Sequence, residues 1–222
     1  MRIAIAGAHG QIGLRLGSLL AGRGDLVVGL HRKPEQEQAL RAAGVSPSLL
    51  DLEATTVDEL GDAIDGCDAV VFAAGAGPGS GLARKDTVDR AAALLLADAA
   101  ERAGVRRYVL VSSTGVDRVR DGATPDGMDD VFVAYLRAKL AAEDDVRGRD
   151  LDWTVLRPGR LTDEPGTGSV TLSDAVQYGD VPRDDVAAVV VALLDEPRSA
   201  GLVLELVRGD VPIRQAVADA VR

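Results

Sequence analysis

Apolar residues along the chain fall into short unbroken runs, separated by stretches in which they recur every three or four positions. Ile3–Ala6, Leu26–Leu30, Ala69–Ala74, Tyr108–Val111, Trp153–Leu156 and Leu202–Val207 are such runs, and a weaker one ends at Leu49-Leu50, just before Asp51. Runs of this length, bounded by Gly, Pro or Asp, read as strands buried on both faces. Between them, Gln11–Ala21 carries Ile12, Leu16, Leu19 and Leu20 at helical spacing. Thr55–Ile64, Val88–Ala103, Asp129–Val146, Asp184–Leu194 and Pro212–Val221 also read as helices, and Gly104 closes the long one at Val88–Ala103. Residues 115–127 and 162–168 are polar, contain Gly and Pro, and read as loops. This alternation predicts an α/β fold of three layers, a doubly wound parallel sheet of about seven strands with helices on both faces. No linker, charge block or repeat interrupts it, so residues 1–222 are expected to form one domain.

Composition narrows the function classes. Aromatic residues make up only 3% of the chain, so the core is expected to be aliphatic. The net charge of −10 and a pI near 4.7 set the surface against a phosphate backbone, and the basic residues are scattered, which excludes general nucleic-acid binding. Cys67 is the one cysteine, and His9 and His31 are the two histidines. Neither a disulfide within the chain nor a metal site is expected from them. The chain opens on a strand and not on a leader, and the apolar stretch from Ala91 is broken at Asp98, too soon to span a membrane. The expectation is a cytoplasmic protein, monomeric or a small homo-oligomer, whose partner is a small-molecule substrate.

The strongest local signal is Gly7-Ala8-His9-Gly10-Gln11-Ile12-Gly13, which follows a strand and opens a helix. Gly7, Gly10 and Gly13 permit a tight turn, close approach of backbone to a pyrophosphate, and close packing of helix on strand. The backbone N–H groups around Gln11 and Ile12, at the positive end of the helix, would hold the phosphates of a dinucleotide. His9 stands within the turn, either on the phosphates or in solvent. No Lys-Ser/Thr follows Gly13, which disfavours a nucleoside-triphosphate loop. An acid at the end of the second strand, about 20 residues onward, would bind the ribose 2′-hydroxyl of NAD. Here the strand ends Leu30-His31-Arg32-Lys33, and the forked donors of Arg32 suit a 2′-phosphate. The expected cofactor is NADP, with NAD the alternative. Asp51-Leu52 would flank the adenine, and Ala73-Ala74-Gly75 would leave room for its ribose.

Tyr135 and Lys139 lie four residues apart, on one face of their helix. A lysine there stabilises a phenolate, giving a proton donor or acceptor for interconverting a carbonyl and an alcohol. Ser112, Ser113 and Thr114, just past the fifth strand, supply hydroxyls for a carbonyl oxygen. A Tyr/Lys pair at this spacing is often only a solvated helix face. Against that, Lys33, Lys85 and Lys139 are the only lysines among 25 basic residues, so a lysine invites a specific reason.

The segments GAHGQIG, Asp51-Leu52, Ala73-Ala74-Gly75, VSST at 111–114, YLRAK at 135–139 and LRPG at 156–159 together resemble the short-chain dehydrogenase/reductase superfamily. The phrase LDWTVLRPGRLTDEPGTGSV is similar to the atypical NAD(P)-binding group related to NmrA-like proteins and to biliverdin reductase B, a flavin reductase. The resemblance implies a Rossmann fold with cofactor contacts at the glycine turn, Arg32, Asp51, Leu52, Ala73, Ala74, Gly75, Ser112, Lys139, Pro158 and Gly159. It implies an active-site pair in Tyr135 and Lys139 and a catalytic hydroxyl at Thr114, or else Ser113. Loops 115–128 and 160–169, with a short C-terminal extension, would form the substrate pocket. The function expected is NADPH-dependent reduction of a small carbonyl, quinone or flavin-like substrate. The alternatives are a non-catalytic NADP(H)-sensing module and, last, a nucleotide-sugar epimerase-like enzyme.

Overall fold

The apolar runs pair into one sheet because strands without a polar face must be covered on both sides. The structure, a computed structural model, describes residues 1–77, 80–81 and 84–222. Its strands are β1 (Arg2–Ala6), β2 (Leu26–His31), β3 (Ser46–Leu49), β4 (Ala69–Phe72), β5 (Arg107–Val111), β6 (Asp152–Pro158), β7 (Arg160–Thr162), β8 (Ser169–Ser173), β9 (Asp180–Pro182), β10 (Leu202–Arg208) and β11 (Val211–Pro212). The main sheet runs in the order β11-β8-β10-β6-β5-β4-β1-β2-β3. From β3 across to β10 all neighbours are parallel, which is the seven-stranded parallel sheet expected. Beyond it, β8 and β11 add an antiparallel edge, and β7 pairs with β9 in a small separate ribbon.

The helices are α1 (Gln11–Gly22), α2 (Glu37–Ala42), α3 (Val57–Ala63), α4 (Ala92–Ala103), α5 (Asp130–Arg147), α6 (Arg183–Leu194) and α7 (Ile213–Ala220). A π-helical stretch, Lys85–Ala91, leads into α4. Strand alternation sorts the core into two layers. Ile3, Ile5, Val71 and Val109 pack with Leu16 and Leu20 of α1 and Val186 and Val190 of α6 on one face. Ala4, Ala6, Val70, Phe72 and Leu110 pack with Leu60 of α3, Leu96 of α4 and Val146 of α5 on the other. Among the described residues no helix is long and apolar enough to cross a membrane.

Three expectations need correcting. Helix α2, with the 3-10 turn Pro34–Gln36 before it, was not anticipated, since Leu40 is its one buried residue and leaves no apolar stripe. Residues 115–127 are not plain loop: Val116–Gly122 forms a 3-10 turn, and Val116 and Val119 pack on Val133, Leu136 and Leu140 of α5. Residues 160–182 hold three short strands where only a loop at 162–168 was expected.

Sheet order reverses between β1 and β4, whose C-terminal ends open a crevice at the switch point where such folds bind ligands. Gly13 sets the depth of α1 against that crevice. A Cβ there would fall on the carbonyl oxygen of Gly7 and 2.8 Å from Ala8 Cα. Gly13→Ala should therefore cost about 1–3 kcal/mol by overpacking, read as a lowered urea midpoint. Gly22→Ala, whose Cβ meets nothing within 4 Å, should leave stability unchanged or raise it.

Candidate active site

The crevice begins at the glycine turn. Gly7 takes φ +83°, a conformation that favours glycine, and a Cβ on it would stand 2.6 Å from Ala74 Cα. Gly10 caps α1 without any side-chain hydrogen bond, and no acid occupies the first turn of the helix. Uncapped N–H donors and the positive helix end are thus left facing the crevice. This cradle fits a dinucleotide pyrophosphate, and Gly10, Gln11 and Ile12 line it while Gly13 lies behind, packed against Gly7.

On one side of the turn a cavity runs between β2 and β4. Gly7, His9, Gly10, Arg32, Asp51, Leu52, Ala73, Ala74 and Gly75 line it, as expected for the adenosine half. His9 Nδ1 is 3.2 Å from Gln36 Nε2, which fixes the ring at the cavity wall. Glu53, Arg84 and Gln36 line it as well and were not foreseen. Glu53 accepts hydrogen bonds from Arg84 Nη2 at 2.7 Å and Thr87 Oγ1 at 2.7 Å, and Arg32 Nη1 approaches at 3.5 Å. The Arg84 bond, then the Thr87 bond, holds the Glu53 carboxyl below the usual carboxylate range. Two guanidinium groups therefore converge on one carboxylate where the adenosine ribose would lie.

On the other side is a chamber lined by Gly10, Gln11, Ile12, Ala73–Gly75, Ser112, Tyr135 and Lys139, with Lys85, Asp89, Asp129, Val131, Phe132, Leu161 and Arg183. Helix α5 starts at its rim because Asp129 caps it, its Oδ1 accepting from Val131 N and Phe132 N. One turn in, Tyr135 stacks on Phe132 with ring centroids 5.7 Å apart. Lys139 follows on the same face and is buried. Its ammonium donates to Val111 O at 3.1 Å and Ala74 O at 3.4 Å and pairs with Asp89 Oδ1 at 3.5 Å. It lies 6.0 Å from the Tyr135 ring centroid.

The hydroxyls sort differently from expectation. Ser112 lines the chamber, whereas Ser113 and Thr114 do not. The chain past β5 stays paired to β6, with Ser112 N on Leu156 O and Thr114 N on Pro158 O, so the later hydroxyls are carried along β6. Ser113 Oγ donates to Thr114 O. Ser112 Oγ donates to Glu143, a fully buried carboxylate that also receives Arg157 Nη2 at 2.6 Å and Nε at 3.1 Å. Burial works against the charge on Arg157, and the hydrogen bonds and charges of Glu143 and Asp117 outweigh it, so its pKa is raised. Pro158 and Gly159 line neither cavity. The glycine is required there because a Cβ at 159 would fall on the Gly179 carbonyl oxygen. Residues 115–128 also stay off the chamber; of the second segment expected there, 160–169, Leu161 lines it, and Arg183 and the start of α5 complete that side.

Lys85 and Asp89 were missed as chamber residues, although the rarity of lysine that drew attention to Lys139 applied equally to Lys85. Glu53 carried no motif: its partners are Arg84, 31 positions away, and Thr87, 34 away.

The chain matches the NAD(P)H-binding family over residues 7–197. It is 35% identical to YhfK of Bacillus subtilis, named as an uncharacterised sugar epimerase, with 98% of this chain and 99% of that protein covered. A solved structure from Bacillus halodurans, provisionally named an NAD-dependent epimerase/dehydratase, superposes with a TM-score of 0.89 at 34% identity, covering 99% of each chain. ChuY of Escherichia coli O157:H7, an anaerobilin reductase, superposes with a TM-score of 0.79 at 25% identity, covering 95% of this chain and 98% of ChuY.

The Glu143–Arg157 pair is the buried charge on which the chamber wall rests. Arg157→Met strands the Glu143 carboxylate and should cost about 3–5 kcal/mol in urea unfolding. The double variant Glu143→Leu with Arg157→Met should recover most of that loss, because it removes both charges together.

Proposed function

The chain belongs to the NAD(P)H-binding family, and on that premise we propose that it is an NADPH-dependent reductase of a small carbonyl, quinone or flavin-like acceptor. The observation that carries this reading is the chamber itself: Tyr135 and Lys139 share it with the glycine turn and with Ala73–Gly75. The glycine turn and Ala73–Gly75 would hold a nicotinamide between them, and the chemistry it would supply there is hydride for the acceptor carbon.

In this reading Tyr135 passes its phenolic proton to the acceptor oxygen. Lys139 stabilises the phenolate left behind, through space, from a position that two carbonyl acceptors and the ion pair with Asp89 hold fixed. Ser112 donates its hydroxyl hydrogen bond to Glu143, so its oxygen offers lone pairs and receives a donor, a ribose hydroxyl or an amide N–H, in place of a carbonyl. At the other end, Arg32 and Arg84 release Glu53 to grip a 2′-phosphate, whereas the 2′-hydroxyl of NAD would donate to Glu53 itself.

The names of the two Bacillus relatives favour epimerase chemistry as a second reading. The two differ in stoichiometry: a reductase consumes one NADPH per product, and an epimerase regenerates its cofactor within each turnover.

Two measurements test the proposal. With a panel of aldehyde, quinone and flavin acceptors, Tyr135→Phe should lower NADPH oxidation by about a hundredfold or more while leaving NADPH affinity within about twofold; undiminished turnover sinks the mechanism. Arg32→Ala should weaken NADPH about tenfold or more with little effect on NADH, and Glu53→Gln should shift the preference further toward NADPH. A parent protein that binds both cofactors equally would contradict the assignment.

A further inference from the structure

Two of the three lysines in the chain meet at Tyr135. Lys139 is fully partnered. Lys85 is 9% exposed, and its ammonium donates to Gly77 O at 3.1 Å and stands 5.3 Å from the Tyr135 ring centroid, nearer than Lys139. Among the described residues no carboxylate pairs with it. The other charges of the chamber are spoken for: Asp89 by Lys139, Asp129 by the N-terminus of α5, and Arg183 by Asp163 at 2.9 Å.

A buried ammonium has three donors, and a single carbonyl satisfies one of them. Leaving the rest unpaired away from water is costly, and an anion entering the chamber relieves that cost. The position recurs to a pattern seen in enzymes, since Lys85 opens a π-helical stretch, a distortion common at functional sites. Beside it, the rings of Phe132 and Tyr135 lie within 27° of parallel, and Phe132 is 45% exposed. Stacked on Tyr135, Phe132 offers an open aromatic face at the chamber in a chain with few aromatic residues.

We propose that the acceptor is a planar molecule bearing a carboxylate, its ring laid on the exposed Phe132 and its carboxylate bound by Lys85. One uncompensated cation matches a monoanion, which favours carboxylate over a phosphate monoester. The inference rests on reading the chamber as the acceptor's site.

The test is calorimetric titration of the NADPH-saturated protein with naphthoate and its neutral counterpart naphthamide. Naphthoate should bind about tenfold more tightly, the strength of one charge-assisted hydrogen bond, and added salt should narrow the gap. Lys85→Met should abolish the preference and Lys85→Arg should keep it, with NADPH affinity within about twofold of the parent in both. Equal binding of the two probes to the parent, no measurable binding of either, or a preference that survives Lys85→Met overturns the proposal. So does a Lys85→Met variant that loses NADPH and naphthoate alike, since Lys85 would then serve the cofactor. Should Lys85→Met not fold, the ratio of the two probes in the parent and in Lys85→Arg still decides. The readout needs no turnover, so it can fail or succeed independently of the Tyr135→Phe assay.

Discussion

The Lys139 ammonium sits where the end of β5, the segment after β4 and the Lys85–Ala91 stretch come together: Val111 O and Ala74 O accept its hydrogen bonds, and Asp89 Oδ1 balances its charge from 3.5 Å. This cation therefore ties together three elements and α5, which carries it. Its carboxylate partner, Asp89, is fully buried and also accepts from Ala76 N at 3.3 Å. The pair therefore fixes the backbone of the segment after β4 as well as the lysine. Losing either partner would leave an uncompensated charge in a nearly dry place, a penalty of about 3–5 kcal/mol. The floor of the chamber is thus rigid for the same reason that it is charged.

A second buried charge, Arg157, does similar work one layer away. It joins α5 through Glu143 to the 3-10 turn through Asp117, with Glu205 of β10 at 3.8 Å. Ser112 hangs on this network, so a serine that faces the chamber is oriented by residues that do not. The chain as a whole carries −10, yet the chamber lining holds three cations, Lys85, Lys139 and Arg183, against two carboxylates, Asp89 and Asp129. Local reversal of sign within an acidic molecule concentrates anions at the opening while the outer surface repels them.

Most of the architecture was legible because it depends on patterns repeated within a few residues. Apolar runs such as Ala69–Phe72 and the glycine turn declare themselves locally, and the parallel sheet follows from their alternation with helices. What was illegible depends on single residues or on distant ones. Helix α2 buries only Leu40. Strand β8 does alternate, Val170 and Leu172 in and Thr171 out, but five residues with two apolar positions stood out too little to be assigned an element. In the site, Tyr135 and Lys139 are neighbours on a helix and could be paired from spacing. The pairing of Lys139 with Asp89 and the choice of Ser112 over Thr114 arise from how β5, β6 and α5 sit together, and no local pattern encodes that.

In the cavity between β2 and β4, the arginine at the strand end is half of an arrangement. Arg32 alone argues for a 2′-phosphate, but Glu53 stands between it and Arg84 and offers the acceptor that NAD-specific sites place nearby. A phosphate entering here must displace that carboxylate from both guanidinium groups. It gains two forked donors, which favour phosphate through paired hydrogen bonds, and it meets the repulsion of Glu53 at the same time. Of these three side chains, Arg84 and Glu53 are held together at 2.7 Å before any ligand arrives. Arg32, 42% exposed at its side chain and 3.5 Å from Glu53, is the looser member. It is the one whose movement costs least.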